Sequence, residues 1–212
     1  MHRATLITGS AVTAITLALA GCSSSTSAPS AETSSAATAT AASSSTAAPA
    51  AASHNQADVD FAQHMIPHHQ QAVEMSDMLL GKQGIDPQVV ALANQIKAAQ
   101  GPEITTMQGW LTAWGAPTPT AGSAMPGKSM PAMAPMPGMM TDQDMAALQN
   151  AQGAAASKTF LTGMIQHHQG AIDMARTEIA AGQNPDAVAL AKSISTSQQQ
   201  EITTMQGLLK TL

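Results

Sequence analysis

The chain has 212 residues, 44% of them apolar, yet only two Phe, two Trp and no Tyr. Helix formers dominate and β-branched or aromatic runs are missing, which predicts an all-α protein of one or two domains. Eight basic residues face thirteen acidic ones, with no basic stripe and almost no aromatic surface, so nucleic acid is excluded as an expected partner.

Residues 1–21 read as an address. His2 and Arg3 give a short basic start, Ala4 to Ala20 form an apolar run, and Leu19-Ala20-Gly21-Cys22 follows. This resembles a bacterial lipoprotein signal, in which the cysteine becomes lipidated and heads the mature chain. Cys22 is the only cysteine, so neither an internal disulfide nor a thiolate metal site is available to the folded part. Acyl chains contribute about 0.8 kcal/mol per buried methylene, which anchors without a transmembrane helix. The expected location is the outer face of the cell membrane. Residues 22–54 are almost wholly Ser, Ala, Thr and Pro, with Glu32 the only charge. Such a segment offers too little apolar surface to offset its ordering entropy and reads as a disordered tether.

Residues 55–116 predict a first helical hairpin. Asp58 and Asp60 signal a helix start, and Phe61, Met65, His68 or His69, Ala72, Met75 and Leu79 recur at three- and four-residue steps. Pro67 is expected to kink this helix, and Gly81 and Gly84 to end it. Asp86-Pro87 opens a second helix in cap-then-proline order. Its stripe runs through Val89, Leu92, Ile96, Gln100, Ile104, Met107, Leu111 and Trp114, with a bend expected at Gly101-Pro102.

Residues 117–140 match no helix or strand pattern. Met130, Met133, Met136 and Met139 recur at every third position among prolines. An extended, solvated loop follows, with thioethers that have no packing role and could capture a soft ion weakly. Residues 141–212 predict a second hairpin, its first helix running unbroken from Thr141-Asp142 to about Ala181 and its second opening at Asn184-Pro185.

The two hairpins are copies. Phe61, Met65, Ile66, His68, His69, Gln70, Ala72 and Met75 recur as Phe160, Met164, Ile165, His167, His168, Gln169, Ala171 and Met174. Likewise Glu103-Ile-Thr-Thr-Met-Gln-Gly109 recurs as Glu201-Ile-Thr-Thr-Met-Gln-Gly207. Two hairpins with one apolar stripe each bury those stripes against one another, giving a four-helix bundle with pseudo-two-fold symmetry. The positions that differ between the copies are expected mostly to face water.

On a helix Met65, His68, His69 and Met75 share one flank, as do Met164, His167, His168 and Met174, while His64 joins the first copy only. Adjacent histidines diverge by about 100°, so the two of a pair are not expected to chelate one ion. Imidazole and thioether without thiolate favour Cu(I) over zinc, calcium or magnesium, and silver would satisfy the same donors. Met107 and Met205 read equally as ligands or as packing. Glu103 and Glu201 read as solvated carboxylates before they read as partners for imidazole N–H groups, and Glu74 and Asp173 as surface.

The Phe-x3-Met-Ile-x-His-His-x2-Ala-x2-Met pattern in both copies resembles the family catalogued as domain of unknown function 305. The resemblance covers about residues 55–212 apart from the Met-rich loop. It implies a secreted or lipid-anchored, ferritin-like helical bundle associated with copper binding and tolerance. It further implies that Met65, His68, His69, Met75, Met164, His167, His168 and Met174 are the metal-site positions. The leading expectation is a non-enzymatic protein that sequesters Cu(I) or hands it to a partner the sequence does not identify. The alternatives are a ferritin-like metal-dependent oxidase and a bundle with no bound metal. The oxidase requires a Glu-x-x-His pairing that neither copy contains.

Overall fold

The computed structural model describes residues 53–119 and 136–212. The signal, Cys22, the tether as far as residue 52, Met130 and Met133 lie outside the described residues. The described part contains five helices: α1 (Gln56–Leu80), α2 (Pro87–Ala113), α3 (Asp142–Asn150), α4 (Gly153–Ala181) and α5 (Pro185–Leu209). α1 packs along α2 and α4 along α5, and the two hairpins meet mainly through α1 and α4. These four long helices form the bundle, and the short α3 leans on α1 and α4.

Each hairpin turn is built by the same chemistry. Asp86 accepts from the N–H groups of Gln88 (2.8 Å) and Val89 (3.4 Å), and Pro87 takes the first helical turn, where no N–H is needed. Asn184 and Pro185 repeat this, with Asn184 accepting from Asp186 and Ala187 at 3.0 Å. Each such cap stabilises its helix by about 1 kcal/mol. The start of each hairpin's first helix then reaches across to the other hairpin's turn. Asp58 accepts from the Asn184 N–H at 2.8 Å, and its counterpart Ser157 accepts from the Asp86 N–H at 3.4 Å. The pseudo-two-fold relation thus extends to the bonds that lock the hairpins together.

Pro67 and Pro102 lie inside α1 and α2, which run on past both as continuous helices. Three expectations change. α1 starts at Asn55, whose side chain and that of Asp58 form a reciprocal capping box; Asp58 is the third helical residue, and Asp60 is exposed. The helix predicted from Thr141 to Ala181 is two helices. Thr141 and Asp144 cap α3, Gln152 is extended, and Gly153 enters α4 at φ +53, a conformation that ends an α-helical run. Finally, the end of the inter-hairpin loop is not solvated chain. Residues 136–140 pack against α1 and α4 through a turn at Gly138 (φ +77).

Candidate metal centre

The duplicated His-His pairs meet in the middle of the α1–α4 seam. All four imidazoles are fully buried. The His68 and His167 rings, one from each hairpin, lie with centroids 3.7 Å apart, and His167 and His168 at 6.4 Å. The 100° divergence sends the second histidine of each pair toward its own hairpin partner. His69 Nε2 lies 2.8 Å from Glu103 Oε2, and His168 Nε2 lies 2.6 Å from Glu201 Oε2. Glu103 and Glu201 are therefore not free solvated carboxylates: they hold the imidazoles. Glu74 and Asp173 are exposed, as expected.

These contacts decide where the ring protons sit. An ionised carboxylate or a carbonyl can only accept, so the imidazole nitrogen beside it donates. His69 and His168 donate from Nε2 to the glutamates, and His68 donates from Nε2 to the Pro137 carbonyl at 3.1 Å. In a neutral ring with Nε2 so engaged, Nδ1 keeps its lone pair. Among the described residues none of these Nδ1 atoms has a hydrogen-bond partner, nor has either nitrogen of His167. A buried polar atom left unpaired costs about 1–3 kcal/mol. Burial first, then the neighbouring His69, pushes His68 down to about 3; burial, then His68 and His168, holds His167 well below the ordinary histidine range. Both are neutral imidazoles at pH 7, the form that binds metal.

Thioethers stand on both sides of this imidazole layer. Met65 and Met107 are fully buried in one apolar cluster with Phe61, Leu111 and Ala171. Met164 and Met205 are fully buried in the other with Phe160, Ile96 and Ala72. Met75 belongs to the second cluster and half-buried Met174 packs on the first. Each copy thus delivers its methionines to matching places. Sequence reasoning set Gln100 on the α2 stripe without giving it a role and missed its counterpart Gln198 as a polar element of this core. Both are 2% exposed, three residues before Glu103 and Glu201, and neither amide has a partner among the described residues. Their recurrence at equivalent places in two otherwise apolar stripes was the available signal.

His64 does not join the buried group. It is half-buried, with Nδ1 donating to the Asp60 carbonyl at 2.6 Å. Of the loop methionines, Met136 and Met139 are half-buried, the first just before and the second within the strap formed by Pro137 to Met140. Gln71 clasps this strap through both backbone groups of Met140, at 2.9 Å to its carbonyl and 2.8 Å from its N–H. On the other side Gly170 lets it approach, since a Cβ there would run into the Pro137 carbonyl. Gln71 and Gly170 are equivalent positions in the two copies. The differences between copies were expected to mark water-facing residues; at these positions they mark where an asymmetric strap crosses a symmetric seam. Among the described residues no three His, Cys, Asp or Glu side chains are gathered to hold an ion by themselves.

The fold and its centre define a class: paired, like helical hairpins enclosing imidazole and thioether donors. The chain belongs to the family described as a domain of unknown function, DUF305, whose model matches residues 58–209. Solved structures agree. A DUF305 protein of Streptomyces coelicolor that carries the description of a secreted protein is 34% identical, with a TM-score of 0.64 over 73% of this chain and 91% of that one. A DUF305 fragment from Deinococcus radiodurans is 32% identical, with a TM-score of 0.64 over 74% and 98%. CopM in its Cu(I)-bound form is 31% identical, with a TM-score of 0.58 over 73% and 96%. CopM is also known in Cu(II)- and Ag-bound forms. No curated protein matches the chain.

Proposed function

We propose that this chain is an extracytoplasmic copper-binding protein, anchored by a lipid on Cys22, that takes up Cu(I) at its imidazole–thioether core. It sequesters the ion or passes it on, and binding rather than catalysis is its role. The observation that carries this reading is the set of buried Nδ1 atoms on His68, His69 and His168, each without a hydrogen-bond partner while Nε2 is spent on an acceptor. Neutral imidazole with Met65, Met107, Met164 and Met205 on either side is a borderline-to-soft donor set that favours monovalent copper. CopM, a relative with copper and silver forms, supports the same ion. The secreted relative supports an extracytoplasmic location, where thioether resists the oxidation that claims free thiols. Met130, Met133, Met136 and Met139 serve as a weaker capture array. Met75 and Met174, further along the same flanks, complete the ligand positions carried by the repeat.

Titration of the mature chain with Cu(I) under reducing conditions, against a chromophoric chelator, tests this. Tight stoichiometric binding is expected, lost on changing His68, His69, His167 and His168 to Ala while the methionine loop still binds weakly. Unchanged tight binding in that variant would refute the imidazole core.

A further inference from the structure

Beside α3 lies a cleft of about 350 Å³ whose lining includes Met75 from α1, Met140 from the strap and Met145 from α3. Three features of this chain bring the thioethers there. The break at Gln152-Gly153 gives α3 its own direction and carries Met145 to the cleft. The Gln71 clasp fixes the backbone of Met140 from both sides. Gly163, which stands where the first copy has His64, leaves the room: a Cβ there would lie 2.8 Å from Met140 Sδ and 3.3 Å from Met75 Cε. Met140 and Met145 are half-buried, so the cleft is reachable from solvent while Met75 forms its floor.

We infer that Met75, Met140 and Met145 form a second, all-thioether site for a soft monovalent cation, beside the imidazole core and sharing Met75 with its flank. The chemistry of the lining selects against hard ions. Asp144 is the one carboxylate among the lining residues, and it already accepts from Thr141 N–H at 3.0 Å and from Thr141 Oγ1 at 2.6 Å. Lys158 adds a positive charge that opposes divalent cations. Thioether sulfur needs no deprotonation and binds Cu(I) or Ag(I) in preference to zinc, calcium or magnesium. The site exists at one end of the bundle only, because the symmetry-equivalent end has His64 in place of Gly163 and no counterpart of the strap among the described residues. It lies where the methionine loop rejoins the fold, between a surface that captures an ion and a core that buries it. The inference uses the soft-ion preference of the proposed function but none of its imidazoles.

The test uses the mature chain carrying 13C-methyl methionine, with Met130, Met133, Met136 and Met139 changed to Leu and His68, His69, His167 and His168 changed to Ala. Ag(I) is the redox-inert probe. The methyl signals of Met75, Met140 and Met145 are expected to shift together and saturate at one ion per chain. Signals that stay still, or move with unrelated saturation points, would overturn the site. In the chain with its histidines intact, changing Met140 and Met145, neither of them a ligand position of the core, to Leu nearly conserves volume. That variant is expected to bind one Ag(I) fewer while keeping the histidine-dependent ion; an unchanged capacity would also overturn the site. Failure of the core and failure of the cleft are thereby read separately.

Discussion

At the level of single residues the central arrangement is a division of labour within each imidazole. Glu103 and Glu201 accept hydrogen bonds from Nε2–H of His69 and His168 and so fix both ring orientation and tautomer. Changing both glutamates to Gln keeps the shape but weakens that hold, and Cu(I) affinity is expected to fall about 10–100-fold in chelator competition. A second buried carboxyl pair has a different use. Burial first, and Asp58 second, push Glu178 up to about 8. Burial also acts to raise Asp58, but the N–H groups of Asn55, Asn184 and Gln183 outweigh it and hold that carboxylate below its usual range. Because the folded value of Glu178 lies above its ordinary 4.5, its contribution to stability is complete below about pH 4.5 and is lost as pH rises through 8. Thermal melts of the metal-free protein should therefore lose stability between pH 5 and 9, and Glu178→Gln should remove that part of the slope. A variant with the slope of the parent would show that Glu178 is not the group responsible.

At the level of elements, the strap is where this fold departs from its own symmetry. Gly170→Ala places a methyl against the Pro137 carbonyl and is expected to destabilise the metal-free protein by about 1–3 kcal/mol in urea unfolding. Gly109 and Gly207 sit in α2 and α5 with open space where a Cβ would stand, so Ala there should stabilise by up to about 1 kcal/mol. Opposite signs for the same substitution are the signature of the strap. The same element shows what sequence could and could not reveal. Caps at Asp86-Pro87 and Asn184-Pro185 were legible because they are local chemistry. The seating of residues 136–140 was not, because it depends on Gly170 and Gln71 from two separate helices. The break before α4 was hidden for a related reason: Ala-rich sequence continues through Gln152-Gly153, where extended Ala151 and Gln152 and a positive φ at Gly153 separate the helices.

At the level of the whole molecule, duplication made the architecture readable. Repeats of Phe61 to Met75 and of Glu103 to Gly109 imply two hairpins, and two hairpins imply a bundle whose central seam holds whatever both copies retain. Duplication alone therefore places His68, His69, His167 and His168 in one core, and their full burial agrees. It does not rank the donors. Met107 and Met205 read equally as ligand or filler, and their full burial in the two clusters flanking the imidazoles is consistent with either role. Anomalous diffraction at the copper edge from crystals of the Cu(I)-loaded chain addresses this most directly. Density is expected within bonding distance of an imidazole Nδ1 and of at least one of Met65, Met107, Met164 or Met205. Copper found only on surface residues, with the four imidazoles unmoved and unligated, would contradict a buried imidazole–thioether site.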